Sequence, residues 1–130
     1  EELKGRYQMT RCLIVDGSSV VRKVAKRILT TPLDIVTEAD SGSSGLSALA
    51  SNAPEIVIVD GDLADMEVTD FIRHIRAMRD VPQPTIFVMM TEMNLALMTK
   101  AKRAGADDYL LKPFDRTQLT RRLHDFQHAA

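Results

Sequence analysis

The sequence predicts an α/β fold in which a single doubly wound (βα)5 domain forms a parallel sheet with helices on both faces. Five short segments are apolar throughout, which is typical of strands that are covered on both sides. Segments with the period of an amphipathic helix lie between them, and such strand–helix–strand crossovers are right-handed and parallel. No metal or disulfide is needed for stability, because 130 residues can bury a sufficient core.

The five predicted strands end abruptly in polar or turn residues. The last of them is short, but Lys112-Pro113 closes it, since proline disfavours helix in the residue before it. In chain order the predicted strands are residues 12–15, 35–36, 56–59, 86–90 and 109–111.

Helical periodicity connects these strands. The first helix is predicted from an apolar stripe, with Ser18 or Ser19 as its cap; the stripe consists of Val20, Val21, Val24, Ala25 and Ile28. The next three helices are indicated by Leu46 with Leu49, by Phe71, Ile72 and Ile75, and by Leu97 or Met98 with Ala101. A last helix, which Asp115 opens, carries Leu119, Leu123 and Phe126.

Composition and charge narrow the class of protein. We expect residues 10–128 to form the domain and residues 1–9 to be an N-terminal tail or linker. A net charge of -1 provides no basic excess for nucleic acid, so we expect none to bind this domain alone. The sequence has no apolar run of the roughly 18 residues that a membrane span requires, and its start does not resemble a signal peptide. A cytoplasmic protein without membrane contact is therefore expected.

Ligands of open parallel sheets bind beyond the carboxyl ends of the strands. Asp16, Asp60 and Asp62 follow the first and third predicted strands, and Lys112 follows the fifth. Clustered carboxylates repel one another unless a cation lies between them, and oxygen ligands suit Mg²⁺. The sequence therefore predicts an acidic, Mg²⁺-type site that includes a lysine at this edge of the sheet.

Three segments, CLIVD (12–16), IVIVD (56–60) and GADDYLLKPF (105–114), resemble the signature segments of the CheY-like receiver domain of bacterial two-component response regulators. The resemblance covers about residues 10 to 127. It implies the strand order 2-1-3-4-5 and a cis peptide bond between Lys112 and Pro113. It also implies that Asp60 accepts a phosphoryl group, that Asp16 helps to hold Mg²⁺, and that Lys112 pairs with the phosphoryl oxygens. The implied partner is a histidine kinase, a phosphotransfer protein or another signalling protein.

The sequence departs from the receiver pattern at positions that matter for switching. Receivers usually carry two adjacent acids after the first strand, but here Gly17 follows Asp16. Counting back from Lys112 places Met90 where receivers have a threonine or serine, and Thr91 lies one place too late. A thioether cannot donate the hydrogen bond that this hydroxyl makes. Tyr109 matches the aromatic residue that responds to the hydroxyl, so its coupling to the site is expected to be lost.

These departures favour an atypical receiver, or pseudoreceiver, which has no enzymatic activity and in which Mg²⁺ binding is weak or absent. Its partner is expected to bind at the fourth helix, fifth strand and fifth helix, where the candidate contact residues are Met93, Met98, Lys102, Tyr109 and Arg122. Met93 and Met98 are equally consistent with core packing. Three alternatives remain open: a phosphorylatable receiver in which Asp62 replaces the missing acid, a phosphatase of the haloacid dehalogenase type that uses Asp60 and Asp62, and a flavodoxin-like ligand binder.

Overall fold

Five parallel strands form one sheet in the order β2-β1-β3-β4-β5 in the computed structural model, which describes residues 10–29 and 34–127. The strands are β1 (Thr10–Val15), β2 (Asp34–Ala39), β3 (Ile56–Asp60), β4 (Thr85–Met90) and β5 (Asp108–Leu111). The helices are α1 (Ser19–Leu29), α2 (Gly42–Asn52), α3 (Val68–Ala77), α4 (Leu95–Ala104) and α5 (Arg116–Gln127). The fold class and the strand order are both confirmed. The predicted tail, residues 1–9, lies outside the described residues.

Each predicted strand is present, and the largest difference is in β2. Only residues 35–36 are apolar enough to predict this strand, but it pairs with β1 along its whole length, from Thr10 opposite Asp34 to Val15 opposite Ala39. Because β2 lies at the edge of the sheet, its side chains are less covered than those of the central strands, and Ile35 is 43% exposed. An edge strand therefore has a weaker apolar signal than its neighbours.

The sheet buries an apolar core on each face. One core packs α2, α3 and α4 against strand residues such as Leu13 and Val15. The other packs α1 and α5 against the alternate residues, such as Cys12 and Ile14. Successive side chains of a strand point to opposite faces, so the continuously apolar strands supply both cores. None of the helices in the described ranges is long and apolar enough to cross a membrane.

The predicted apolar stripe of α1 is wrong at two positions. Val20 is 69% exposed and Val24 is 40% exposed, whereas Ala25 and Leu29 are buried. The helix contacts β1, β2 and α5. The buried side of the helix is therefore narrower than the predicted stripe of five residues. The cap prediction is confirmed, because the Ser18 hydroxyl accepts a hydrogen bond from the backbone N–H of Val21 at 3.3 Å.

A contact between a loop and a helix fixes the start of α2. Ser41 caps this helix in a capping box with Ser44, which satisfies backbone N–H groups of its first turn. Asp65, from the loop between β3 and α3, accepts two further bonds, from Gly42 N at 2.9 Å and Ser43 N at 3.0 Å. These backbone hydrogen bonds lower the pKa of the Asp65 carboxyl, because they stabilise its ionised form.

We expect Asp65→Ala to lower the thermal midpoint of unfolding at pH 7, since it removes both bonds to the start of α2. Because the pKa of Asp65 is lowered, its contribution to the stability of the fold is present above the ordinary value of 3.8. This contribution is lost as the pH falls through the folded-state value. Thermal unfolding between pH 2 and 7 checks this expectation.

The matched control is Glu67→Ala in the same loop, because the Glu67 side chain makes no capping bond to α3. The expectation fails if both variants have the same midpoint at pH 7. It also fails if the effect of Asp65→Ala persists unchanged at the lowest pH.

Candidate functional site

The ammonium group of Lys112 bridges two carboxylates at the carboxyl edge of the sheet. Its Nζ lies 2.9 Å from Asp16 Oδ2 and 3.3 Å from Asp60 Oδ1. Asp16 follows β1, Asp60 ends β3, and Lys112 follows β5. The strand order places β1 beside β3, and the long lysine side chain reaches them from the far side of β4. The structure thus brings together the three residues on which the predicted site was centred.

Asp16 is held in a buried position by several groups. The residue is 1% exposed, and its Oδ1 accepts a hydrogen bond from Ser18 N at 2.8 Å. Arg22, on the first helix, donates to the backbone oxygen of Asp16 at 2.8 Å and to Glu38 at 3.0 Å. A buried carboxylate requires such partners. Sequence reasoning missed Arg22, because only the packing of α1 beside β2 brings it to Asp16 and Glu38.

Lys112 is fixed through its backbone as well as its side chain. Its N–H donates to the carbonyl of Met90 at 2.8 Å, and the Lys112-Pro113 peptide bond is cis, as the resemblance implies. Burial lowers the pKa of the ammonium group, but hydrogen bonds and coulombic attraction from Asp16 and Asp60 outweigh it, so the pKa is raised overall. Lys112 therefore stays positively charged between the two carboxylates.

The loop after β3 turns immediately beyond Asp60. Asp60 Oδ1 accepts a hydrogen bond from Asp62 N at 3.1 Å, and Gly61 N donates to the carbonyl of Met89 at 2.8 Å. Asp62 is exposed. Within residues 10–29 and 34–127, no three histidine, cysteine or acidic side chains lie close enough together to hold a metal ion. The predicted set of Asp16, Asp60 and Asp62 is thus not assembled as a metal cluster in this structure.

The residues present are one acid short of a magnesium site of the expected type. Both oxygens of Asp16 already have hydrogen-bond partners, and Gly17 supplies no ligand. A Cβ atom at Gly17 would have only the Asp40 backbone oxygen nearby, at 3.8 Å. Space for a second acid therefore exists, although the chain places none there.

Met90 occupies the end of β4 as predicted. It is 6% exposed and belongs to the core that packs against α2, α3 and α4. Thr91 lies outside the strand and is exposed, so no slip brings its hydroxyl into the position of Met90. The strand end next to the acidic site therefore carries an apolar thioether in place of a hydrogen-bond donor.

A groove of about 580 Å³ runs between α4, β5 and α5, and Met90 contributes to its wall. Four of the five predicted contact residues line it, namely Met93, Met98, Tyr109 and Arg122, whereas Lys102 is not among its lining residues. Met93 is 65% exposed and is therefore a surface residue. Met98 is half-buried and packs against the core as well as lining the groove.

Tyr109 and Arg122 are both held in place within the groove. The Tyr109 hydroxyl donates to the backbone carbonyl of Met98 at 2.7 Å. Burial raises the pKa of the phenol, and the charge of Asp108 raises it further. Arg122 pairs with Asp108 at 3.0 Å, so one of the groove's cations is already partly neutralised. The groove therefore has an apolar, methionine-rich wall and an ordered polar rim.

Comparisons with protein families, with individual proteins and with solved structures each point to receiver domains. The family described as response regulator receiver domain matches residues 12–124. The chain is 30% identical over 117 residues to a chemotaxis protein CheY homolog of Campylobacter jejuni, covering 88% of this chain and 90% of the relative. It is 34% identical over 115 residues to the KDP operon transcriptional regulatory protein KdpE of Escherichia coli, covering 88% of this chain and 50% of KdpE.

Two solved structures are similar in fold. The chemotaxis response regulator CheY4 of Vibrio cholerae has a TM-score of 0.83 at 24% identity, with 90% of this chain and 98% of that chain covered. The beryllofluoride-activated DrrB receiver domain has a TM-score of 0.80 at 26% identity, with 92% and 98% covered.

We expect Lys112→Met to lower the free energy of unfolding by about 3 kcal/mol, the cost of leaving one partner of a buried ion pair without the other. The raised pKa of Lys112 fixes the pH dependence. The contribution of Lys112 to the free energy of unfolding is present below the ordinary pKa of 10.5. It is lost as the pH rises through the higher folded-state pKa. The difference between wild type and variant should therefore shrink above pH 10.5.

Urea denaturation at a series of pH values measures this difference, with Lys102→Met on an exposed face of α4 as the control. A loss equal to that of the control would contradict a structural role for the bridge.

Proposed function

Because the chain belongs to the family of response regulator receiver domains, we propose that it is a pseudoreceiver that binds a signalling partner whether or not Asp60 carries a phosphoryl group. The observation that carries this proposal is Met90, a buried thioether at the end of β4. The proposed binding surface is the groove between α4, β5 and α5. The domain itself performs no catalytic turnover.

Met90 limits what a phosphoryl group at Asp60 is able to change in the domain. A ligand shifts the balance between two conformations only if it interacts differently with them. In a typical receiver the hydroxyl on the fourth strand provides that difference. Met90 has no donor, and its side chain belongs to the core against which Tyr109 packs. Phosphorylation therefore has no hydroxyl to draw toward Asp60.

The acidic site supports the same conclusion independently. Receiver domains bind Mg²⁺ in general, and Mg²⁺ gives up its water ligands reluctantly. Here Gly17 removes one acid, and the Lys112 ammonium lies between the two carboxylates that remain. A divalent cation would compete with the Lys112 ammonium group for these two carboxylates. We propose that Mg²⁺ binding is weak or absent.

The groove indicates the chemistry of the partner. Receivers of this family interact with histidine kinases and phosphotransfer proteins, and a partner of this kind or another signalling protein is proposed here. Met93 and Met98 provide flexible apolar contacts that adapt to a helix. Arg121 and Arg122 border the groove, and Lys102 is exposed on α4. These cations suit a partner helix that carries acidic residues. A cytoplasmic location without binding to nucleic acid or membrane belongs to the same proposal.

The second candidate is a phosphorylatable receiver. The specific observation in its favour is that the Asp60 side chain is 17% exposed and lies beside Lys112, so a phosphodonor has access to it. The exposed Asp62 then has to replace the missing acid by turning toward the site. The family match leaves no support for the phosphatase and flavodoxin-like alternatives.

We expect Gly17→Asp to tighten Mg²⁺ binding at least tenfold, because it restores a carboxylate where a side chain fits. Isothermal titration of the purified domain with Mg²⁺ measures the change, and Gly17→Ala serves as the control for loss of glycine. A wild-type dissociation constant equal to that of a receiver with both acids would show that Gly17 does not impair the site.

We expect beryllofluoride to change the affinity of the wild-type domain for its partner by less than tenfold. A tenfold change corresponds to about 1.4 kcal/mol of coupling between the sites. The experiment is partner capture, followed by measurement of the dissociation constant with and without beryllofluoride and Mg²⁺. The double variant Gly17→Asp/Met90→Thr should acquire phosphate dependence. A tenfold or larger change in the wild type would overturn the pseudoreceiver proposal in favour of the second candidate.

A further inference from the structure

Gly61, the residue after Asp60, lies close to β4 and α4. A Cβ atom at this position would lie 2.8 Å from the Met89 carbonyl oxygen, 3.0 Å from Leu97 Cδ2 and 3.3 Å from Val88 Cγ1. The first two distances leave no room for a side chain without movement of the backbone or of Leu97. The glycine therefore lets the loop after Asp60 lie directly beneath the first turn of α4.

Leu97 connects this contact to the groove. Its backbone N–H bonds to the Asn94 side chain at 3.0 Å, which caps α4, and its half-buried side chain packs against the core. The next residue, Met98, accepts the Tyr109 hydroxyl through its backbone carbonyl at 2.7 Å. Gly61 follows Asp60 in the chain and lies against Leu97. Met98 follows Leu97 and accepts the Tyr109 hydroxyl. These neighbours join the acidic site to Tyr109.

We propose that Gly61 is a positioning residue for the partner face, and that its contact with Leu97 holds the first turn of α4 so that Tyr109 stays bonded to Met98. This inference rests on the proposed function, because it explains what keeps the groove in one arrangement when position 90 has no hydroxyl. The link depends on packing at Gly61 and on the hydrogen bond from Tyr109 to Met98, and so it operates without a phosphoryl group and without a metal ion.

The test is Gly61→Ala, examined on the isolated domain without a partner. We expect the amides of Leu97 and Met98 to exchange with solvent at least tenfold faster, because the added methyl group displaces Leu97. Absorbance titration in a Tyr7→Phe background should show the pKa of Tyr109 falling toward the ordinary value of 10.0. The matched control is Gly17→Ala at the same edge of the sheet, where a Cβ atom meets only the Asp40 oxygen at 3.8 Å. It should change neither quantity.

Leu97→Ala provides a second variant if Gly61→Ala does not fold. On its own it should accelerate exchange at Met98 at least tenfold. Where Gly61→Ala folds, adding it to Leu97→Ala should accelerate exchange less than threefold further. Exchange at the wild-type rate in Leu97→Ala, or fully additive effects in the double variant, would overturn the proposal. Because these measurements need no partner, they are independent of whether the groove binds one.

Discussion

The salt bridge from Lys112 to Asp16 and Asp60 is the interaction on which the carboxyl edge of the sheet depends. Asp16 is almost completely buried, and a carboxylate in such a place is stable only when charge and hydrogen bonds compensate for the water it has lost. Lys112 supplies the charge at 2.9 Å, and the Ser18 backbone supplies a further bond at 2.8 Å. The bridge also spans three strand ends, because its members follow β1, end β3 and follow β5. The bridge therefore connects β1, β3 and β5 at this edge of the sheet.

The end of β4 supports this bridge through backbone groups rather than side chains. The carbonyl of Met89 accepts Gly61 N, and the carbonyl of Met90 accepts Lys112 N, both at 2.8 Å. The segments that follow Asp60 and contain Lys112 are thus attached to consecutive residues of one strand. The side chains of these residues point to opposite cores, Met89 toward α1 and α5 and Met90 toward α2, α3 and α4. Both bonds are made by the backbone of β4, so neither requires a hydroxyl side chain at position 90. The fold and the arrangement of the site can therefore persist where the switch hydroxyl is absent.

Much of this arrangement is predictable from the sequence because it depends on local patterns. Apolar strands followed by single polar residues indicate the sheet, and the spacing back from Lys112 identifies Met90 as the residue at the end of β4. The errors have physical causes. Val20 and Val24 match a helical stripe, but periodicity does not tell how wide the buried flank of a helix is. Residues that bond to distant parts of the chain produce no local sequence pattern, as Asp65 shows at the start of α2. Arg76 is another example, since it bonds to Gly105 O at 2.7 Å, to Pro84 O at 2.8 Å and to Asp107 at 2.9 Å at the opposite edge of the sheet.

Gly17 changes the charge balance of the acidic site relative to a receiver that has two adjacent acids after β1. With a second acid, three carboxylates would surround one ammonium group, and their repulsion would strain the folded state unless a cation were bound. With Gly17, two carboxylates share Lys112, and both lie within 3.3 Å of its nitrogen. The site therefore carries less excess negative charge than a site with three carboxylates would. Under the proposed function, Gly17 thus lowers the electrostatic attraction of the site for Mg²⁺, and the groove between α4, β5 and α5 keeps its arrangement whether or not the acidic site is occupied.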